Sequence, residues 1–141
     1  MNLKHQVSSN RLLAVSIGLV FLWFGILKFF PSLSPAENLA KKTIDVLTFN
    51  LIPSSTSIII LAIWESLIGV CLILNFYRRI AIIIALVHLV FTFLPLFVFS
   101  SECFKVAPFQ FTLLGQYILK NVIFVAALLT LYNKPFMNPK I

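Results

Sequence analysis

Four long apolar runs divide the chain, separated by short polar segments. Their approximate bounds are 12–30, 57–76, 80–99 and 113–132. A hydrocarbon core of about 30 Å is crossed by roughly 20 apolar residues in a helix that rises ~1.5 Å per residue. Backbone N–H and C=O groups must be paired inside lipid, so each run is expected to be helical. The pattern predicts an all-α membrane protein, a single domain over 1–141 with four transmembrane helices in a bundle.

A shorter segment between the first two runs has a different pattern. Ser34-Pro35-Ala36-Glu37 is typical of a helix start, with Ser as N-cap, Pro as first helical residue and Glu as capping-box partner. Lys41, Lys42 and Asp45 lie mostly opposite a set of apolar positions at helical spacing. That set is Ala36, Leu39, Ala40, Thr43, Ile44 and Leu47. We predict an amphipathic helix at about 35–48 that rests in the membrane interface and is too polar to span.

The remaining connections are short. Tyr77-Arg78-Arg79 leaves only a basic turn between the second and third runs, which predicts an antiparallel helical hairpin. Pro95 lies in the last turns of the third run and is expected to kink it, because proline lacks the N–H for the helical bond. We expect a loop at 100–111 that contains Cys103 and leaves its thiol accessible to a membrane-impermeant reagent added from outside. Cys103 and Cys71 form no CxxC and no metal-ligand spacing, so neither is expected to be catalytic.

Composition agrees with the pattern of runs. The chain is 60% hydrophobic and 11% charged, whereas soluble domains carry about 25% charged residues. The net charge of +7 does not indicate nucleic-acid binding, because the basic residues lie singly or in pairs at the ends of apolar runs. Six of them share one side against three on the other, so the positive-inside rule predicts that both termini are cytoplasmic. These are Lys4, Arg11, Arg78, Arg79, Lys134 and Lys140 against Lys41, Lys42 and Lys105.

The first run also resembles a signal peptide, since a basic start precedes it and Ser32-Leu33-Ser34 loosely imitates a cleavage site. We favour a transmembrane helix, because the run is longer than the ~7–15 residues of a signal-peptide core. Trp23 and Trp64 lie well inside their runs, and we expect them to pack in the core.

Ionisable side chains inside the apolar runs require an explanation, because a central charge costs ~2.5–3.5 kcal/mol on insertion scales. Lys28 is in the last turn of its run and is expected to snorkel to the headgroups. Glu65 and Lys120 lie at matching depths, roughly 12 Å and 10 Å from the outer ends of their helices at ~1.5 Å per residue. Gln116 and Asn121 are near Lys120, and Gly69 below Glu65 would admit another helix closely. These residues predict a polar cavity between the second and fourth runs, with Glu65 and Lys120 as an ion pair.

Two interpretations of this cluster stay open. It is either a structural ion pair that fixes helix pairing or a site for a ligand or a proton. His88, in the middle of the third run, is a proton relay, a quinone partner or, as we favour, a hydrogen-bonded interior histidine. Haem between two histidines of one chain is disfavoured, because His5 precedes the first run.

Three stretches of the chain carry motifs in a fixed order. They are residues 21–31 (FLWFGILKFFP) with 34–37 (SPAE), then 64–69 (WESLIG), then 115–121 (GQYILKN). Together they resemble the DoxX-like family of small four-helix membrane proteins. The resemblance implies a four-helix bundle in a prokaryotic cytoplasmic membrane, and the family takes its name from a small subunit of an archaeal thiosulfate:quinone oxidoreductase. The motif residues that it carries across are Lys28, Glu65, Gln116, Lys120 and Asn121. His88 is outside those motifs.

Three classes of function follow. The first is a redox-associated membrane component that contacts a quinone, in which Glu65 and Lys120 orient or protonate the head group and a partner protein supplies electrons. The second is a non-catalytic structural or assembly subunit of a membrane complex. A transporter or channel ranks third, because the sequence shows no inverted repeat and no broken helix pair. No cofactor or metal site is evident, quinone is the candidate ligand, and the sequence does not decide whether the chain is an enzyme.

Overall fold

The computed structural model describes the backbone of residues 3–133 and the side chains from residue 9 onward. Lys134, Lys140 and most of the polar tail, which entered the topology prediction, lie outside the described residues. The elements in chain order are α1 (Leu3–Leu27), α2 (Glu37–Leu47), α3 (Ser54–Leu74), α4 (Arg78–Thr92), α5 (Pro95–Val98), α6 (Ser100–Cys103), β1 (Phe104–Val106), β2 (Gln110–Phe111), α7 (Leu113–Leu119) and α8 (Asn121–Tyr132).

Four segments within residues 3–133 are helical, long and apolar enough to cross a membrane: Ser9–Leu27, Ser54–Leu74, Arg78–Val98 and Leu113–Tyr132. They coincide with the four apolar runs, which confirms the prediction of four such helices and indicates a multi-pass membrane protein. α1 ends three residues before the predicted boundary, so Lys28 lies in the turn that follows the helix.

The membrane helices form a closed bundle in which α1 packs on α3, α3 on α4, α4 on α8 and α8 on α1. Small and branched residues fill the centre of the bundle toward the α3–α4 turn: Ala14, Ile17, Ile68, Leu72, Ala81, Ile82, Ala85, Leu128 and Leu131. Large apolar side chains cover the outside, as expected where lipid is the solvent. Trp23 and Trp64 are among the exposed ones, at 63% and 44%. The prediction that they pack in the core was wrong, because apolar character does not distinguish a lipid-facing from an inward-facing position.

Glycine brings α1 and α3 into backbone contact. A Cβ atom on Gly69 would lie 2.6 Å from the Leu22 nitrogen and 2.7 Å from the Gly18 carbonyl oxygen. A Cβ atom on Gly25 would lie 2.6 Å from the Ser66 hydroxyl oxygen. Only glycine fits at such a crossing, the usual device for tight helix pairs in membranes. Gly69 therefore admits another helix closely, as predicted, and that helix is α1.

The helix breaks follow local chemistry. At the end of α3, Asn75 adopts a left-handed conformation (φ 59°) and the Phe76 N–H bonds back to the Cys71 carbonyl, a common way to end a helix. The expected kink at Pro95 is an interruption: the Leu94 N–H bonds to the Phe91 carbonyl, the acceptor that the missing Pro95 N–H would have used. This confirms that Pro95 disturbs the third membrane helix.

A second break, at Lys120 between α7 and α8, was not predicted. The Ile123 N–H bonds to the Lys120 carbonyl three residues back instead of continuing the α-helical pattern. α4–α5 and α7–α8 are thus both locally irregular, although each pair still forms one segment long enough to span a membrane. Apart from Pro95, nothing in the local sequence indicated these positions.

The segments outside the membrane helices meet at one end of the bundle. The Lys42 ammonium lies 2.6 Å from the Glu102 carboxylate and joins α2 to α6. The expected loop at 100–111 contains the short helix α6 and a two-stranded hairpin. Cys103, predicted to be accessible in that loop, is fully buried, and its thiol donates to the Pro95 carbonyl over 3.5 Å. Burial, followed by the nearby Glu102 charge, raises the pKa of this thiol.

The glycine contact between α1 and α3 generates a stability prediction. Gly69→Ala should lower the free energy of unfolding by about 1–3 kcal/mol, because its new methyl group overlaps the backbone of α1. Thermal unfolding in detergent measures the change, with Ala126→Val as control because Ala126 is exposed on α8. If Gly69→Ala were as stable as the control, the two helices would not touch at this point.

Candidate functional site

A cavity of about 380 Å³ lies inside the bundle near the end that carries α2. Its walls are mostly apolar and come from α1, α2, α3, α4 and the α7–α8 segment. Polar side chains line it from the turn after α1, from α2, α3 and α4, and from the α7–α8 segment: Lys28, Thr43, Glu65, His88, Thr92, Tyr117, Lys120 and Asn121. Of the residues predicted for the site, the cavity thus gathers Lys28, Glu65, His88, Lys120 and Asn121.

Glu65 is paired with Lys28. The Lys28 ammonium lies 2.6 Å from Glu65 Oε2, and both side chains are 8% exposed. The predicted pairing of Glu65 with Lys120 and the predicted snorkelling of Lys28 were therefore both wrong. Because α1 ends at Leu27 and its glycines hold it against α3, the Lys28 side chain reaches inward to Glu65. Lys120 was the predicted partner because its depth in the membrane matches that of Glu65. Depth alone does not determine which helices are neighbours, so it could not identify Lys28 as the partner.

His88 completes the surroundings of the carboxylate. Its Nε2 lies 3.2 Å from Glu65 Oε1, and the edge of its ring meets Phe21 at a centroid distance of 5.7 Å. A neutral imidazole that donates from Nε2 satisfies this oxygen. His88 is thus an interior histidine with a polar partner, as we favoured. It lies within the polar cluster, next to Glu65.

Lys120 has aromatic partners. Its ammonium lies 4.0 Å from the centre of the Tyr117 ring and 5.9 Å from that of Phe24. Among residues 9–133, the ion pairs involve other cations, and no carboxylate lies within 4 Å of Lys120. Cation–π contacts hold the ammonium in place without neutralising it. Tyr117 was not predicted as a site residue. Its position about one helical turn before Lys120 could have indicated it.

Asn121 and Gln116 have different surroundings. The Asn121 amide donates to the Thr92 hydroxyl over 3.2 Å, and that hydroxyl donates in turn to the Leu89 carbonyl. Asn121 therefore keeps its carbonyl oxygen and a second N–H for other partners. Gln116 is exposed, does not line the cavity, and donates back to the Phe111 carbonyl. The prediction that Gln116 joins the cluster was wrong. Gln116 lies about one helical turn before Lys120, and at that position its side chain is outside the cavity.

α2 covers one side of the cavity. The six positions that the sequence placed on one face of this helix, Ala36, Leu39, Ala40, Thr43, Ile44 and Leu47, all line it. The predicted helix start differs, because α2 begins at Glu37 and its N-cap, Ala36, makes no side-chain cap bond. The Glu37 carboxylate instead accepts bonds from Lys41 and from the Ser32 N–H. Ser32 has a left-handed backbone (φ 67°) that turns its N–H toward this carboxylate.

The bonds from Lys41 and then Ser32 hold the pKa of Glu37 below its ordinary value. Glu37 therefore stabilises the start of α2 at neutral pH. This contribution is lost as the pH falls through the lowered pKa.

The described part of the chain has no group of three or more His, Cys, Asp or Glu side chains that would hold a metal ion. Its chemistry is therefore that of donors and charges around an apolar space. Comparison with protein-family models, curated proteins and solved structures found no significant match.

The ion pair generates a second prediction. Lys28→Met or Glu65→Gln alone should destabilise the protein by about 3–5 kcal/mol, because each leaves a buried group without its partner. The double variant should lose less than the sum, with an interaction energy of about 0.5–3 kcal/mol. Unfolding in detergent measures all three variants. The control is a second double-mutant cycle that combines Glu65→Gln with Lys120→Met, and there the two losses of stability should add. An interaction energy between Glu65 and Lys120, and none between Glu65 and Lys28, would contradict the observed pairing.

Proposed function

We propose that this protein is a small DoxX-like, redox-associated component of the cytoplasmic membrane that binds the head group of a quinone in its cavity. The observation that carries the proposal is an apolar cavity of about 380 Å³ into which an unneutralised ammonium and a free amide edge project. The family assignment rests on the resemblance of the motif stretches at 21–37, 64–69 and 115–121.

The size and lining of the cavity suit a small planar head group. Ligand sites are typically clefts of about 300–1,000 Å³ with apolar walls and a few placed polar groups. A quinone carbonyl oxygen is an acceptor, and Lys120 and Asn121 both have N–H groups that remain available. The aromatic rings of Phe24 and Tyr117 lie beside these donors and offer apolar surface to a ring system.

The helix interruptions support ligand binding at this place. Thr92 and Pro95 flank one break, Lys120 forms the other, and all three line the cavity. Irregular backbone at membrane depth is tolerated where it is buried in protein or lines a cavity. The chain would bind and orient the quinone, and electrons would come from a partner protein.

The alternative function, a structural or assembly subunit, is favoured by one observation. The array of Lys28, Glu65 and His88 is internally satisfied, since both carboxylate oxygens have partners. A satisfied array ties α1, α3 and α4 together and demands no ligand. This part of the polar cluster fits a purely structural role.

The location in the membrane is part of the proposal. Both termini would be cytoplasmic, because Arg11, Arg78 and Arg79 lie at the end of the bundle opposite α2. α2 would then rest in the outer interface, with its apolar side on the cavity and Lys41 and Lys42 near the lipid headgroups.

The third prediction tests quinone binding. A short-chain ubiquinone should bind the purified protein saturably, one molecule per chain, in isothermal titration calorimetry. Ala40→Trp should weaken that binding by at least about tenfold, because the indole occupies the cavity. Ala126→Trp, on the exposed side of α8, should leave it unchanged. Absence of binding to the wild type, or equal binding by both variants, would contradict the proposal; copurification of a stoichiometric protein partner without ligand would favour the structural alternative.

The fourth prediction tests orientation. Cys103 is buried and is a poor target for thiol reagents, so a new cysteine is needed at an exposed position. In a Cys71→Ser, Cys103→Ser background, a membrane-impermeant maleimide added to intact cells should label Lys105→Cys but not Asn133→Cys. The two positions lie at opposite ends of the fourth membrane helix. Labelling of Asn133→Cys alone would reverse the assignment.

A further inference from the structure

We propose that the cavity selects ligands whose head group is anionic, such as a deprotonated hydroxyquinone or a carboxylate, over neutral head groups of the same shape. This inference deepens the proposed function and rests on the binding of a ligand in the cavity. It follows from the number and the pairing of the charges that line the cavity.

The lining of the cavity has more positive than negative charge. Lys28 and Lys120 line it, and Glu65 is the acidic residue among its described walls. Glu37, Asp45 and Glu102, the other carboxylates of the sequence, are bonded to Lys41, Ser54 and Lys42 outside the cavity. The walls therefore carry one positive charge in excess when His88 is neutral, and a larger excess when it is protonated.

Glu65 is not available to balance Lys120. Oε2 is bonded to Lys28 at 2.6 Å, and Oε1 is 3.2 Å from His88 Nε2. Both oxygens are occupied by partners that are themselves buried, at 8% and 10% exposure. To reach Lys120, Glu65 would have to abandon Lys28 and leave that ammonium buried without a counter-ion.

Lys120 is held in position for an incoming anion. Its contacts with the rings of Tyr117 and Phe24 fix the ammonium beside the cavity but leave its charge uncompensated. Lys120 is an exposed residue at the cavity wall, so its ammonium is accessible to an incoming ligand. A charge-assisted bond to an anion is about twice as strong as a neutral hydrogen bond. Asn121 is next to Lys120, and one N–H of its amide is bonded to Thr92. The second N–H can donate to the same head group that Lys120 binds. An anionic oxygen would thus receive both an ion pair and an N–H bond.

The experiment compares pairs of ligands that differ in charge and little else. The first pair is 2-hydroxy-1,4-naphthoquinone, ionised at neutral pH, and the neutral 2-methyl-1,4-naphthoquinone; the second is dodecanoate at pH 8 and dodecanol. Binding to the full-length protein in detergent should be at least about tenfold tighter for the anion of each pair. Lys120→Met should abolish the preference, Lys120→Arg should retain it, and Lys105→Met, an exposed lysine outside the cavity, should not change it. Unfolding midpoints verify that each variant is folded.

The outcomes separate this inference from the proposed function. If the neutral quinone binds as tightly as its anionic counterpart, the selectivity is refuted while quinone binding stands. If dodecanoate binds and dodecanol and both quinones do not, the selectivity holds while the quinone proposal fails. Preference for the anion that persists in folded Lys120→Met would overturn the assignment of the selectivity to this residue.

Discussion

The ion pair between Lys28 and Glu65 is the interaction on which the polar site depends. It lies inside the bundle, with both side chains 8% exposed and their charged atoms 2.6 Å apart. A buried charge without a partner is strongly unfavourable, so each residue requires the other. The pair exists because Gly18, Gly25 and Gly69 let α1 and α3 touch, which places the turn after α1 beside the middle of α3. By occupying Glu65, the pair also leaves Lys120 without a carboxylate, so the positive charge in excess at the cavity lies on this lysine.

The two interpretations that the sequence left open apply to different halves of the polar cluster. Lys28, Glu65 and His88 form a satisfied array that connects three helices, as a structural ion pair would. Lys120 and Asn121 retain unused N–H groups at the cavity wall, as a ligand site would. The satisfied array connects α1, α3 and α4, and α1 and α4 are the helices on which α8 packs. It therefore supports the segment that carries Lys120 and Asn121.

The parts of the fold that could be predicted are those determined by local pattern. Run length and hydropathy located the four membrane helices, and Pro95 located one interruption because proline lacks an N–H. The partner of Glu65 could not be predicted, because Lys28 and Lys120 are both compatible in depth and the choice depends on which helices are adjacent. The burial of Cys103 likewise depends on the packing of α6 under Pro95, and the Ser34–Glu37 motif failed because Glu37 binds Ser32 instead. Tertiary contacts decided each of these cases.

The central claim is that Glu65 pairs with Lys28 and leaves Lys120 free, and it is tested most directly by solid-state NMR in lipid bilayers. With ¹⁵N in lysine side chains and ¹³C in glutamate side chains, dipolar recoupling reports which ammonium is close to the Glu65 carboxylate. Lys28→Met and Lys120→Met assign the signals. The structure predicts a strong Lys28–Glu65 cross peak that disappears in Lys28→Met and persists in Lys120→Met. A cross peak that disappears in Lys120→Met instead would show that Glu65 neutralises Lys120, which would contradict the pairing and would place the uncompensated charge on Lys28.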